Sequence, residues 1–415
     1  MNKNDSECDL LIIGAGMTGV SAALFANELG LKTVIAGKTG ETLYSSGLID
    51  LISSFPVDDK KIHDDPWALI NEIKKSDSEH PYSFIDNGDI EKSLKKIMTY
   101  FGDAGLQYRC NGKNSRIITP LGHTKSTYCY PETMENNRIA FENKSSCIII
   151  GLERLRGFSS EMIKQVLQKN WKGLESATVR IPYFDHMSSI YSETVARFLQ
   201  TEKNRDTFVT LLEPLVKDYE YVGLPAVLGI HNSSYLLKDL EKRLSVKLFE
   251  IPVIPPSITG LRLKEVFHKI LHENGITFLN NYILTRNKDN SFDANHENNK
   301  AVIKPSNVLL ATGRFIGKGL SAKRKGIVET VFDLNVNQPG ERVNWHSGNF
   351  FDPHEINLAG IKTNTSFNPI DENGKIVDKN LYAAGSILSG NDWKRLKCGS
   401  GVAIASAYSA VQNIK

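Results

Sequence analysis

The chain opens on a single change of hydrophobic period. Residues 9–13, Asp-Leu-Leu-Ile-Ile, form a short apolar run ending at Gly14, the pattern of a strand buried on both faces of a parallel sheet. Small and apolar residues then recur at helical spacing over 17–29, Gly30 sits at a C-cap position, and 33–36 is a second apolar run. Together they predict one βαβ unit. A helical period follows over roughly 89–105, and the Thr-, Ile-, Tyr- and Ser-rich stretch 115–130 predicts strands.

From about residue 144 strand-like runs at 147–150, 178–181, 221–227 and 246–251 alternate with helical stretches near 159–169, 191–200, 204–216 and 233–243, which predicts an inserted α/β layer. Ile254-Pro255-Pro256-Ser257 opens a further helix to about Glu273, with prolines before its first turn and Gly275 past its end. The Asn- and Asp-heavy stretch 286–300 reads as a solvated hairpin tip between strands near 276–285 and 301–311. The fold class is therefore α/β: a discontinuous Rossmann-like domain, 1–110 with 266–415, interrupted by an α/β domain at 111–265.

Composition narrows the class. With 415 residues, 40% of them hydrophobic and 23% charged, the chain can bury a large core, and disordered or coiled-coil readings fall away. A net charge of +3 argues against nucleic acid as an obligatory partner. Cys8, Cys110, Cys129, Cys147 and Cys398 are widely spaced with no C-x-x-C, so zinc, haem and iron–sulfur ligation lack their usual spacing, and no metal site is assigned. They read as reduced thiols in a reducing compartment. No apolar run is long enough to span a bilayer, and the polar start at 1–5 does not read as a signal peptide, which points to a cytoplasmic protein. Asp58-Asp59-Lys60-Lys61 reads as a solvated loop, and Lys323-Arg324-Lys325 as a solvated basic turn, short of the roughly four clustered cations that anionic lipid recognition wants.

Gly14-Ala15-Gly16-Met17-Thr18-Gly19 has the G-x-G-x-x-G spacing after a strand and at the start of a helix. There the first glycine permits a tight turn, the second lets a phosphate approach the backbone, and the third lets helix pack on strand, while the helix N-terminus supplies partial positive charge. A merely tight βα turn would carry the same spacing. The fingerprint also expects a carboxylate about 20 residues on to hold the ribose hydroxyls. This strand ends Ala36-Gly37-Lys38, which weakens NAD or a conventional FAD and suits a mononucleotide such as FMN. Two later apolar runs end in glycine turns, at Ala311-Thr312-Gly313 and Ala384-Gly385-Ser386, and Cys398-Gly399-Ser400-Gly401 leads into a small-residue helix.

These turns resemble the flavoproteins of the fumarate reductase and succinate dehydrogenase type, which have two dinucleotide-binding domains. More narrowly, Tyr44-Ser45-Ser46-Gly47-Leu48-Ile49, Thr119-Pro120-Leu121-Gly122, Pro255-Pro256-Ser257-Ile258-Thr259-Gly260-Leu261-Arg262 and Gly348-Asn349-Phe350-Phe351 resemble the B-subunit family of the anaerobic glycerol-3-phosphate dehydrogenases, from about residue 9 to the end. The resemblance implies a flavoprotein subunit that carries FMN, with FAD as the alternative. It implies as partners an FAD-bearing A subunit and a membrane-associated iron–sulfur C subunit, the membrane being reached only through them. The implied reaction oxidises sn-glycerol 3-phosphate to dihydroxyacetone phosphate and passes electrons to the quinone pool in fumarate or nitrate respiration. It also implies that Gly14, Ala15, Gly16, Thr18 and Gly19 form the phosphate turn, that Ser45, Ser46 and Gly47 lie near the ribityl phosphate, and that Thr312, Gly313, Gly385, Ser386, Gly399 and Gly401 line the later turns. Ser386 stands where the wider superfamily commonly has an acid.

Oxidising a secondary alcohol onto a flavin needs a base for the hydroxyl proton and cations for the substrate phosphate. Arg262 and Arg314, each beside a glycine turn, are candidates for a bidentate phosphate fork. His231, after an apolar strand end, is the first candidate base, and His123 the second. Two other readings stay open: a flavin-binding relay or scaffold subunit of the same complex, and a free-standing flavin-dependent hydroxy-acid dehydrogenase.

Overall fold

The computed structural model describes residues 5–57, 61–297 and 299–414. The start at 1–4 and the loop at 58–60 lie outside them. In chain order the elements are β1 (Asp5–Ile13), α1 (Met17–Glu28), β2 (Thr33–Gly37), α2 (Pro66–Ser76), α3 (Asn87–Asp103), β3 (Tyr108–Ile118), β4 (Thr124–Pro131), α4 (Glu135–Asn143), β5 (Cys147–Leu152), α5 (Ser160–Leu167), β6 (Leu174–Val179), α6 (Ser192–Phe198), α7 (Glu202–Val216), β7 (Tyr221–Pro225), α8 (Ser233–Leu244) and β8 (Lys247–Ile251). There follow α9 (Ile258–Glu273), β9 (Thr277–Asn280), β10 (Ile283–Arg286), β11 (Phe292–His296), β12 (Asn299–Leu310), β13 (Leu320–Lys323), β14 (Gly326–Glu329), β15 (Val336–Asn337), β16 (Gly360–Ile361), β17 (Leu381–Ala383), α10 (Trp393–Leu396) and α11 (Gly399–Gln412). They form two compact units: Met1–Glu41, Asp50–Thr99 and Phe267–Lys415 in one, Thr42–Ile49 and Tyr100–Val266 in the other.

The first unit is built on a seven-stranded sheet in the order β10-β11-β12-β1-β2-β9, with β17 paired to the end of β12. Strand β1 runs parallel to both β12 and β2, Ile13 lying opposite Leu310 on one side and Ala36 on the other. The chain leaves β1 toward β2 on one side while β12 lies on the other, so the carboxyl end of β1 is a topological switch point, where open α/β sheets bind ligands. Helices α1 and α11 are apolar on nearly every face and pack on each other, Phe25 meeting Tyr408 edge to face at 5.1 Å. Gly30, at φ +76, ends α1 as its C-cap position predicts.

The second unit has a four-stranded parallel sheet in the order β6-β5-β7-β8 and the antiparallel hairpin β3-β4. Alternate side chains of its central strand serve two cores. Ile148 and Ile150 pack with Leu212, Leu236 and Leu240 of α7 and α8, whereas Cys147 and Ile149 pack with Ala140, Ile163 and Trp171.

Three expectations need correction. The stretch 286–300 is not only a solvated tip: it holds β11, because Phe292 and Ala294 alternate inward and are fully buried among the Asn and Asp residues. The strand expected at 276–285 is two strands split at Asn281 (φ +64), β9 lying parallel to β2 and β10 antiparallel to β11. The cysteines are not all thiols, since Cys110 and Cys129 stand directly opposite in the β3-β4 hairpin and form a disulfide, while Cys8, Cys147 and Cys398 are free and buried. Among the described residues no helix is long and apolar enough to cross a membrane, and no cluster of three or more His, Cys, Asp or Glu could hold a metal ion.

Candidate functional site

At the switch point of the first unit the sequence turns into geometry through three glycines with different tasks. Gly14 has φ +115, and a Cβ there would stand 2.2 Å from the Ala311 carbonyl oxygen. A Cβ at Gly19 would stand 1.8 Å from the Gly14 carbonyl oxygen. Both are packing glycines, and Gly37 joins them, its Cβ position being 3.0 Å from the Gly14 Cα. Gly16 differs: nothing lies within 4 Å of its Cβ position. It caps α1 with no side-chain acceptor and no acid in the first turn, so no side chain compensates the partial positive charge of the helix start. Ala15 and Thr18 are buried beside it.

The ends of four strands are stitched together here. Gly14 N donates to Ala36 O at 2.7 Å, Ala311 N to Ile13 O at 2.9 Å, and Ala384 N to Leu310 O at 3.0 Å. Gly385 (φ +79) packs on Thr18, whose Oγ1 would lie 2.1 Å from a Cβ there, and Gly385 N donates to Ser406 Oγ at 2.8 Å. Gly313 (φ +67) faces Ser386 Oγ, 3.5 Å from its Cβ position. Helix α11 also starts without a side-chain cap. Within its first turn Gly401 is a packing position, its Cβ falling 2.2 Å from Tyr82 Oη, and Gly399 rests against Trp393.

A phosphate-bearing flavin fits these residues on two observations: the uncapped start of α1 at an open Gly16, and the buried Thr312 Oγ1 and Asn391 Nδ2, which have no hydrogen-bond partner among the described residues. The feature that departs is the end of β2, where Gly37 is followed by an exposed Lys38 rather than a carboxylate.

In the second unit the serine–glycine loop and the Pro-Pro-Ser segment are two sides of one contact. Ser257 Oγ and Thr259 Oγ1 both donate to the Ser45 carbonyl oxygen, at 2.9 and 3.0 Å. Gly260 must be glycine, because its Cβ would stand 2.5 Å from Thr42 O. Gly47 (φ +79) is packed against Thr259 and Pro131, and its carbonyl accepts from Tyr108 Oη at 2.7 Å. Ile49 pairs with Cys129 on β4, and Ser46 stays half-exposed. Tyr108 lies 61 residues from Gly47 and carries no local motif, so nothing in the sequence singles it out.

The substrate candidates fare differently. Arg262 is 1% exposed, and its guanidinium donates to both Glu250 oxygens at 2.6 and 2.9 Å and, through Nε, to Gly229 O at 2.8 Å. Glu250 also accepts from Thr133 Oγ1 and Leu228 N. Burial raises the Glu250 carboxyl, but Arg262 and these donors outweigh it and hold the group below its ordinary value. Arg262 is thus a structural half of a saturated pair, and the expectation that it forks a substrate phosphate is corrected. Arg314 is corrected likewise: its guanidinium donates to four backbone carbonyls, those of Ser386, Asn357, Leu388 and Asn391. Burial lowers it to about 10. His231 and His123 are exposed, in the β7–α8 and β3–β4 connections.

Among known families, the model described as FAD binding domain matches residues 9–402. The chain is 29% identical over 442 residues to the anaerobic glycerol-3-phosphate dehydrogenase B subunit of Aliivibrio fischeri (strain MJ11), covering 98% of this chain and 95% of that protein. It is 29% identical over 423 residues to the protein of the same name from Vibrio cholerae serotype O1 (strain ATCC 39315 / El Tor Inaba N16961), covering 98% and 96%. Among solved structures, the 3-ketosteroid-delta4-(5alpha)-dehydrogenase of Rhodococcus jostii RHA1 aligns over 100% of this chain and 97% of its own, with a TM-score of 0.40 and 10% identity. The family match supports a flavin and most directly FAD; FMN as the first choice is not supported.

Proposed function

Because the chain belongs to the FAD-binding-domain family, we propose that it is the flavin-carrying B subunit of an anaerobic glycerol-3-phosphate dehydrogenase, holding its flavin at the carboxyl edge of the first unit's sheet. The observation that carries this reading is the uncapped α1 N-terminus over an open Gly16. Met17, Thr18 and Gly19 would present amides to the phosphates, and Thr312 Oγ1 and Asn391 Nδ2 would supply hydrogen bonds deeper in. A flavin held there would supply hydride acceptance from an alcohol carbon and onward electron transfer. The names of the relatives supply glycerol 3-phosphate as the substrate, whose oxidation gives dihydroxyacetone phosphate, and the membership of a complex. The first unit is then the flavin-binding domain and the second the substrate or interaction domain. The FAD-bearing and iron–sulfur partner subunits, the quinone acceptor, fumarate or nitrate respiration and a place on the inner face of the cell membrane complete the reading.

A second reading has specific support. Arg262 and Arg314 are bonded to the fold itself and His231 stands exposed, so this chain would relay electrons while the FAD-bearing partner performs the alcohol chemistry. The visible spectrum of the flavin-loaded chain, before and after anaerobic addition of glycerol 3-phosphate, separates the two. Bleaching by substrate alone means this chain oxidises it; bleaching only after the FAD-bearing partner is added means a relay. A chain that takes up neither FAD nor FMN contradicts both.

A further inference from the structure

The disulfide of the second unit takes no part in the flavin reading, and it sits where the ladder of the β3-β4 hairpin gives out. Tyr108, Arg109 and Cys110 pair with Pro131, Tyr130 and Cys129, and pairing resumes only at Ser115 opposite Thr127, so residues 111–114 of β3 stand against Tyr128 alone. Across the Cys110–Cys129 pair the backbone of Cys129 faces the other way. Ile49 N donates to Cys129 O at 2.9 Å, and Cys129 N donates to Ile49 O at 3.0 Å. An opposed pair of this non-hydrogen-bonded kind brings its side chains close. Here the Cα atoms are 4.4 Å apart and the sulfurs are bonded, so the disulfide is the link between β3 and β4 at that register.

The edge of β4 turned away from β3 carries the serine–glycine loop, whose Ser45, Ser46 and Gly47 are among the cofactor-binding candidates. Ile49 O also accepts from Tyr128 N and Thr127 Oγ1, each at 3.1 Å. From β3, Tyr108 donates to Gly47 O at 2.7 Å, two positions before Cys110. Both strands of the hairpin therefore grip the loop, and the disulfide ties one grip to the other. The hairpin has other supports, because Leu48, Ile117, Tyr130 and Met134 form a buried cluster and the ladder continues from Ser115 to Ile118. Opening the disulfide would thus slacken the loop without dismantling the core beneath it.

Access to the bond is one-sided. Cys110 is exposed and Cys129 is wholly buried, so a thiolate from solvent meets the Cys110 sulfur and Cys129 is the leaving group. The other cysteines are poor competitors: Cys8, Cys147 and Cys398 are buried, and burial pushes each thiol up, that of Cys8 to about 11, so the attacking thiolate form is scarce. We propose that the Cys110–Cys129 bond is a redox-sensitive brace, opened by a dithiol reductant and closed by a small disulfide, that sets how firmly the serine–glycine loop is held. In the opening step one thiolate of the dithiol bonds to Cys110 Sγ as the S–S bond breaks, and Cys129 leaves as a thiolate and takes up a proton. The second thiol of the reductant then displaces Cys110, so the dithiol ends as a disulfide and two electrons and two protons end on the cysteines. Closing is the reverse exchange. The proposal is independent of the flavin reading, since its test reads neither flavin nor turnover.

The test follows the full, folded chain through dithiothreitol and then oxidised glutathione, with alkylation and mass spectrometry reporting each cysteine and amide hydrogen exchange reporting the loop. Cys110 and Cys129 are expected to become alkylatable under native conditions while Cys8, Cys147 and Cys398 stay protected. With them the Ile49 amide is expected to exchange at least about tenfold faster, and that of Val222 in β7 to stay as it was. Oxidised glutathione should restore both readings. The C110S/C129S variant should show the fast Ile49 exchange throughout and no response to either reagent; the two redox states of the unmodified chain carry the test if that variant folds poorly. Thiols at Cys110 and Cys129 in the chain prepared without reductant overturn the proposal, as does a bond that dithiothreitol opens only in denaturant. Opening that leaves Ile49 exchange unchanged overturns it as well. Faster exchange at Val222 and Ile49 alike would make the bond a staple of the whole unit, and overturns it too.

Discussion

At Gly19 one methyl group would sit 1.8 Å from a backbone oxygen, and at Gly16 the same group would meet nothing. The shared glycine spacing therefore hides two kinds of residue. Gly19→Ala is expected to destabilise the fold by about 1–3 kcal/mol, seen as a lower denaturation midpoint of the flavin-free chain. The buried Arg262–Glu250 pair makes a second prediction. Glu250→Gln leaves Arg262 buried without its counter-charge and should cost about 3–5 kcal/mol at neutral pH. Because the Glu250 carboxyl is held low in the folded state, its contribution is present above the ordinary glutamate pKa of about 4.3 and is lost as pH falls through the folded value. The stability gap between the unmodified chain and Glu250→Gln should accordingly narrow in acid; a gap constant down to the acid transition would contradict the assignment. Neither arginine's partner was legible in the sequence, since Glu250 lies 12 residues from Arg262 and the carbonyls clamped by Arg314 lie 43 to 77 residues away.

Among the elements, the βαβ opening could be read directly because its apolar runs and cap glycines are contiguous. Strand β11 could not, since its burial rests on Phe292 and Ala294 alone within a polar stretch. The loop 42–49 shows the same limit. Its residues were visible as a motif, but the hydroxyls that hold it come from Ser257 and Thr259, at separations of 212 and 214 residues. Removing both donors in S257A/T259V is expected to cost about 1–3 kcal/mol and to speed hydrogen exchange of the Gly47 and Ile49 amides, with exchange elsewhere in the β3-β4 hairpin little changed. Unaltered exchange at those amides would mean the loop is held by Tyr108 and Cys129 instead.

For the molecule as a whole, the α/β class and the flavin family were legible because the glycine turns fall at the ends of apolar strands, which is a statement about a sheet edge. The chemistry at the substrate was not, because a lone arginine carries no record of the carbonyls or carboxylate it meets after folding. Arg314→Met tests that difference: losing donors to four carbonyls should lower folded yield and melting temperature, whereas a phosphate-binding arginine would raise the KM of the assembled complex and leave stability alone. His231→Gln, at an exposed loop, should change stability by less than about 0.5 kcal/mol, and on the relay reading it should leave the turnover of the complex unchanged. The central claim, that flavin is held by the open α1 N-terminus, is tested most directly by measuring flavin affinity and apo melting temperature for Gly16→Val beside the unmodified chain. The account predicts an affinity at least about tenfold weaker with a melting temperature close to the original, because a Cβ at Gly16 has no other atom of the protein within 4 Å. Equal affinity in the two chains would place the flavin elsewhere and contradict it.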